Sequence, residues 1–254
     1  MRIDYDTVAH EYARHRRAHP DVLEHLIQGG ELRPHSPVLE VGCGTGNYLL
    51  WLDELLEGTC WGLDPSAHML AQVKERSHRA RVSMGRAEHV PFAAEGFNLV
   101  FSVDVIHHIE DRAAYFREAY RVLKPGGKIC TVTDSEEIIR NRRPLSVYFP
   151  ETVPVELQRY PRIPELRTLM EQAGFEDLRE VEVAFAYHLT DVQMYREKAF
   201  SSLHLIPPEA FERGLRRMER ALEEGPIPGV SRYILLWGTK PNIPTKPAPP
   251  PAGD

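Results

Sequence analysis

The chain has 254 residues, 42% hydrophobic and 27% charged, with a formal net charge of −6. It is long enough to bury a substantial core, in one large domain or two small ones. The acidic balance, with a pI near 6.1, argues against a nucleic-acid binder driven by phosphate neutralisation. No uninterrupted apolar run approaches the roughly 18 residues a membrane span needs, and the opening M-R-I-D-Y-D carries no apolar signal region.

In chain order, residues 4–17 read as a helix with Val8, Tyr12 and His15 on one face. His19-Pro20 breaks it. Asp21 can cap a second helix through Gln28, and Gly29-Gly30 stops that one. Alternation follows: strand 38–42, helix 47–56, strand 59–63, helix 66–77 and strands 81–84 and 98–103. Helix 111–122 and strand 128–133 complete the regular part. Alternating β and α elements predict a doubly wound α/β fold, with helices on both faces of a parallel sheet. Residues 139–163 mix prolines, aromatics and arginines and read as a lid. Helix 164–173 then leads to strand 177–187. Residues 190–224 read as two helices broken at Pro207-Pro208, and strand 230–238 follows. The tail from 241 to 254 is proline-rich and is expected to be disordered. Cys43, Cys60 and Cys130 fall in or beside strands and read as buried free thiols of a reducing cytoplasm. Their spacing fits neither a zinc site nor a thiol trio.

Residues 37–46 read P-V-L-E-V-G-C-G-T-G and organise the rest. A buried strand enters a turn with Gly42, Gly44 and Gly46, and a helix with Leu49, Leu52, Leu55 and Leu56 leaves it. Such glycines let a ligand lie against the main chain, and the helix start offers unpaired N–H groups. A second apolar run ends at Asp64, whose carboxylate suits both hydroxyls of a ribose. The spacing is GxGxG and not the GxGxxG of dinucleotide enzymes, which suits a ligand without a pyrophosphate. Gly42, Asp64, Arg86–Glu88 and Ser102 all fall at carboxyl ends of strands, where open α/β sheets bind ligands.

Five ordered segments, V-L-E-V-G-C-G-T-G, L-D-P-S, A-E-H-V-P-F, F-N-L-V-F-S-V-D-V-I-H-H-I and V-L-K-P-G-G-K, resemble the class I S-adenosylmethionine-dependent methyltransferases. The nearest group is the small-molecule type (methyltransferase type 11) that includes the ubiquinone and menaquinone enzymes. The resemblance spans roughly residues 35–134. It implies one Rossmann-like domain over 1–240, three-layered, with seven strands of which the last is antiparallel. It also implies a helical cap at 1–30, the lid at 139–163 and a helical insert at 190–229.

The same resemblance implies S-adenosylmethionine as cofactor and S-adenosylhomocysteine as product. Glu40 would attract the amino group of the methionine end, and Gly42, Gly44 and Gly46 would admit the cofactor. Asp64 would take the ribose, and Pro65 and Met69 would pack on adenine. Arg86 stands where the family often places an aspartate and cannot accept from adenine, so Ala87 and Glu88 are expected to serve. Ser102 and Val103 are expected beside the methionine moiety, and Tyr5 and Tyr12 either cover it or pack their own helix. His107 is the candidate base, with His108 beside it, against the alternative of packed histidines at a helix start. Asp104 either orients one of them or caps the next helix. His108, Arg143, Tyr148 and Tyr187 are the candidate substrate residues. The expected acceptor is a small molecule, aromatic or lipophilic with an anionic group, methylated on O, N, C or S. The protein is expected to be cytoplasmic, a monomer or homodimer, without nucleic acid, metal or membrane span. A non-catalytic cofactor-binding protein of the same fold and a nicotinamide-dependent oxidoreductase are the rival readings.

Overall fold

A computed structural model describes residues 18–242 of the chain. The expected helix 4–17, with Tyr5 and the cofactor candidate Tyr12, lies outside them, as does the tail from 243 onward.

The first described helix, α1 (Pro20–Gly29), begins with proline, whose fixed φ suits the first helical position. β1 (Val38–Val41) is buried at all four positions, as a continuous apolar strand covered on both faces should be. It leads into α2 (Asn47–Leu55), β2 (Cys60–Asp64), α3 (Ala67–Arg76) and β3 (Arg81–Met84). β4 (Phe97–Val103) is followed by a 3-10 turn at Ile106–His108, then α4 (Arg112–Val122) and β5 (Leu123–Thr133). Asp111 caps α4 by accepting from the Ala114 amide at 2.8 Å. α5 (Glu136–Asn141), α6 (Leu145–Tyr148) and α7 (Thr152–Arg159) form the lid, and α8 (Ile163–Gln172) returns to the sheet. β6 (Glu176–Leu189), α9 (Gln193–Arg196), α10 (Pro208–Glu224) and β7 (Ile227–Thr239) end the described chain.

The seven strands are ordered β3-β2-β1-β4-β5-β7-β6. β7 runs antiparallel to both neighbours and the other six run parallel to one another. Successive side chains of a strand point to opposite faces, and two cores result. Leu39, Val41 and Val100 pack with Tyr115 and Phe116 of α4 and Leu166 and Met170 of α8. Val38, Leu99 and Phe101 pack on the other side with Leu26, Leu49, Leu52 and Val73 of α1, α2 and α3. A third cluster joins lid and insert, with Leu145 and Phe149 against Tyr195, Leu203 and Met218. Gly214 permits that contact, because a β-carbon there would lie 2.4 Å from Phe149 Cδ1.

The insert differs from expectation. Its first expected helix contracts to α9 and a 3-10 turn at Ser201–His204, because Lys198 takes a left-handed φ of 51° that no α-helix continues. β6 and β7 are longer than expected and pair from Glu176↔Thr239 to Leu189↔Ile227. Their pairing continues beyond the last β5–β7 pair, Thr133↔Ile234. A two-stranded ribbon therefore projects past the carboxyl ends of the parallel strands.

Candidate active site

Strand order reverses between β1 and β4, which opens a crevice at their carboxyl ends. The chain leaves β1 through Gly42, Gly44 and Gly46 at φ values of 72°, 51° and 80°, where a side chain would be strained. The Gly42 and Cys43 amides both donate to the Leu63 carbonyl, at 2.7 and 3.0 Å. A β-carbon on Gly42 would lie 2.4 Å from Val105 Cγ2, so the turn packs directly on the segment after β4. Asp64 holds the turn from the next strand. Its Oδ2 accepts from the Gly44 amide at 2.8 Å and its Oδ1 from the Ser66 amide at 2.9 Å. Arg76 braces the far side by donating to the Thr45 carbonyl at 2.7 Å.

A narrow cleft of about 50 Å³ runs along this turn, walled by Glu40, Gly44, Tyr48 and Val103, with Asp104 and Tyr233 at its end. Glu40 is 3% exposed, and its Oε2 has no hydrogen-bond partner. Burial pushes its pKa well above the usual carboxylate range. A buried carboxylate oxygen left without a donor on a cleft wall suits a cationic donor from a ligand. The cleft residues thus fit a small cationic group against Glu40, while Asp64 holds the turn and does not itself line the cleft.

The other expected cofactor residues divide. Val103 lines the cleft. Ser66 caps α3 on the Met69 amide at 3.1 Å, Pro65 is exposed and Met69 is buried. Ala87 is buried in the α4-side core. Glu88 faces Arg86, with Arg86 Nη2 donating to Oε1 at 3.4 Å, so its carboxylate is engaged by that guanidinium. Ser102 requires a correction. Its hydroxyl accepts from the Tyr115 hydroxyl at 3.2 Å inside the core, because strand alternation turns Ser102 to the face opposite Val103. Only its main chain can reach the crevice.

Beyond the cleft lies a cavity of about 590 Å³ between the strand ends, the lid, the ribbon and the insert. His107, His108, Arg143 and Tyr187 line it; Tyr148 does not. Tyr148 instead lies against the insert, with the Arg217 guanidinium 5.6 Å from its ring centre, a correction to the expected substrate role. Gly229 lets the Tyr187 ring lie on β7, since a β-carbon there would sit 2.5 Å from Tyr187 Cζ. Asp104 and Tyr233 line both the cleft and the cavity, and the Tyr233 hydroxyl donates to Asp104 Oδ2 at 3.3 Å. Asp104 holds a φ of 56°, uncommon for a residue other than glycine.

His107 stacks on Tyr160 with ring centres 4.0 Å apart, and His108 tilts against His107 at 3.9 Å. Burial, and after it the Arg159 guanidinium, push the His108 pKa down to about 4. His108 is therefore neutral at pH 7. Its unfolded-state pKa is near 6.5, so the unfolded chain binds a proton first as pH falls. Stability contributed by neutral His108 is complete above about pH 6.5 and declines toward pH 4. Urea unfolding should show the native protein losing roughly 2 kcal/mol more than His108→Gln between pH 7 and pH 5. Equal losses would remove this assignment.

Several cavity residues escaped the sequence reading of the site, four of them central to its chemistry. His19 lies edge-on to Phe185 and Tyr233, with ring centres 5.6 and 5.8 Å away. Asp134, Glu156 and Tyr233 are the others. Asp134 had a legible signal, since it directly follows β5 as Asp104 follows β4. Tyr233 had none: it sits one residue beyond the Thr133↔Ile234 pair, on an antiparallel strand whose register sequence does not state.

Residues 39–131 match the family model described as a methyltransferase domain. A demethylmenaquinone methyltransferase of Lactiplantibacillus plantarum is 28% identical over 209 residues, covering 68% of this chain and 86% of that protein. Other relatives are covered less completely; the chain spans 62% and 41% of two of them. The crystal structure of the YcgJ protein of Bacillus subtilis superposes with a TM-score of 0.62 at 20% identity, covering 88% of this chain and 99% of that one. A Haemonchus contortus phosphoethanolamine N-methyltransferase, solved with phosphomonomethylethanolamine and S-adenosylhomocysteine, superposes at 0.57 with 22% identity. That match covers 87% of this chain and 52% of that one.

Proposed function

We propose that this chain transfers a methyl group from S-adenosylmethionine to a small-molecule acceptor, a reading supported by the methyltransferase-domain match over residues 39–131 and by the relatives and folds it resembles. The observation that carries the reading is the meeting of cleft and cavity at Asp104 and Tyr233. A transferase of this kind needs two compartments sharing one wall, because attack on the methyl carbon is in line and gains mainly from holding the reactants close.

Bound S-adenosylmethionine would supply an electrophilic methyl group on a sulfonium. Glu40 would hold the ammonium of the methionine end against its unpartnered Oε2, and a cation there would favour its ionised form. Gly42, Gly44 and Gly46 let the main chain approach. Asp64 keeps its two amide donors and accepts ribose hydroxyls with its remaining lone pairs. Pro65, Met69, Ala87 and Glu88 are the residues that would lie around the adenine. The lid and insert wall the cavity on the side away from the sheet. His107 stands in the cavity wall as the base where an acceptor proton must leave, whereas His108 binds a proton too weakly to share that role at neutral pH.

The aromatic walls (Tyr160, Phe185, Tyr187, Tyr195) support an aromatic or lipophilic acceptor. The lid arginines give little support to an anionic group. Arg142 is spent on Asp134 and Glu156, and Arg159 donates to Ser201; Arg143 reaches the cavity from an exposed position. Among the described residues no helix is long and apolar enough to cross a membrane. Three buried free thiols fit the reducing cytoplasm proposed for the protein.

Calorimetry ranking S-adenosylhomocysteine, S-adenosylmethionine and NAD, followed by a screen for S-adenosylhomocysteine formation with small acceptors, tests the proposal. Tight binding of the first two with turnover is expected. NAD binding instead indicates an oxidoreductase, and cofactor binding without turnover on any acceptor indicates a sensor.

A further inference from the structure

The floor of the large cavity is an ion cluster with more negative than positive charge. Asp134, at the end of β5, has a side chain 1% exposed, and Glu156 of α7 one 5% exposed. Between them lies Arg142, which donates from Nη1 to Glu156 Oε2 at 2.9 Å and pairs through Nη2 with Asp134 Oδ2. All three line the cavity. Asp134 Oδ1 is buried and has no hydrogen-bond partner. One guanidinium thus faces two buried carboxylates, and Asp104 adds to the field felt by Arg142. Both terminal nitrogens of Arg142 already face a carboxylate.

The other cations around the cavity do not restore the balance. Arg232 is held by Glu137 at 2.8 Å and Glu182 at 2.7 Å. Lys198 Nζ lies 4.3 Å from the Phe211 ring centre, Glu197 flanks it, and Arg143 is exposed. His19 and His108, which also line the cavity, have pKa values lowered chiefly by burial and carry no charge at pH 7. Tyr160, Tyr187 and Tyr195 line the same space, and Arg142 itself lies 6.0 Å from the Tyr160 ring centre. A net negative charge taken out of water is costly unless a cation compensates it, and aromatic faces attract desolvated cations.

We propose that this floor is an ammonium-binding subsite, and that the acceptor carries an alkylammonium or amidinium group seated against Asp134 and Glu156 and walled by the tyrosines. The inference rests on the methyltransferase reading for its meaning but not for its binding test. Because β4 and β5 are adjacent strands, the subsite opens beside Asp104 and Tyr233, within reach of the shared wall.

The test uses 2-phenylethylamine, 2-phenylethanol and phenylacetate, which share one aromatic ring and differ in charge. Each is titrated by ligand-observed NMR into the full chain, with and without saturating S-adenosylhomocysteine. The amine should bind roughly tenfold or more tightly than the other two, as a charge-assisted contact implies. Glu156→Gln and Asp134→Asn should each shrink that preference about tenfold without abolishing binding of the alcohol. If Asp134→Asn fails to fold, Glu156→Gln and the native panel still decide. Equal or tighter binding of phenylacetate or the alcohol, no amine binding at millimolar concentration, or a preference unchanged in folded Glu156→Gln overturns the subsite. Failure to bind S-adenosylhomocysteine would instead strike the methyltransferase reading, whatever the amine does.

Discussion

Asp64→Ala should lower the affinity for S-adenosylhomocysteine by about 100-fold or more in calorimetry. The carboxylate has two tasks. It accepts from the Gly44 and Ser66 amides, which sets the glycine turn before any ligand arrives. In the proposed complex it would also offer its remaining lone pairs to ribose hydroxyls. Hydrogen bonds to a charged group contribute about 1.5–3 kcal/mol each, and about 1.4 kcal/mol is a factor of ten. Loss of two such bonds therefore reaches the stated size even before the loosened turn is counted. Asp64→Asn separates the tasks. An amide keeps one acceptor but turns its NH₂ toward a main-chain donor, so it should fall between the native residue and alanine. An affinity within threefold of native in Asp64→Ala, with the protein folded, would confine Asp64 to bracing the turn.

Arg142→Met should be the most destabilising single change in the lid, at about 3–5 kcal/mol by denaturant unfolding. The reason is asymmetry. A buried ion pair is weakly stabilising as a whole, but deleting one partner leaves the other charge stranded. Here one deletion strands two carboxylates, Asp134 and Glu156. Burial alone would lower the pKa of Arg142, yet Glu156, then Tyr160 and Asp104, hold it above its usual value, so it stays charged at any pH at which the protein is folded. The cluster also ties three elements together, since Asp134 follows β5, Arg142 follows α5 and Glu156 lies on α7. The triple change Asp134→Asn, Arg142→Met and Glu156→Gln removes the charges together and should cost less than Arg142→Met alone. A larger loss in the triple variant would show that the cluster is favourable as a whole.

The lid and insert explain why part of the site was hidden. The prolines and arginines of 139–163 excluded sheet but carried no period from which to place side chains. Arg142 and Arg143 are neighbours in sequence, yet one is half-buried between carboxylates and the other is exposed. Arginine is ordinarily a surface residue, so only the positions of Asp134 and Glu156 distinguish the two. Tyr148 and Tyr187 looked equivalent as aromatic candidates. Tyr148 packs outward under Arg217, while Tyr187 lies on Gly229 and faces the cavity.

By itself the sequence determined the parallel sheet, the glycine turn after β1 and the acidic residue that ends β2. Each is a local consequence of chain chemistry: apolar runs make buried strands, glycine alone turns freely at positive φ, and strand ends collect ligands. The tertiary structure decided which face Ser102 takes, how far the β6–β7 ribbon extends, and that Tyr233 meets Asp104 across 129 residues of sequence. These depend on strand register and on which buried charges find one another. Both are set by packing between distant segments, and no local period records them.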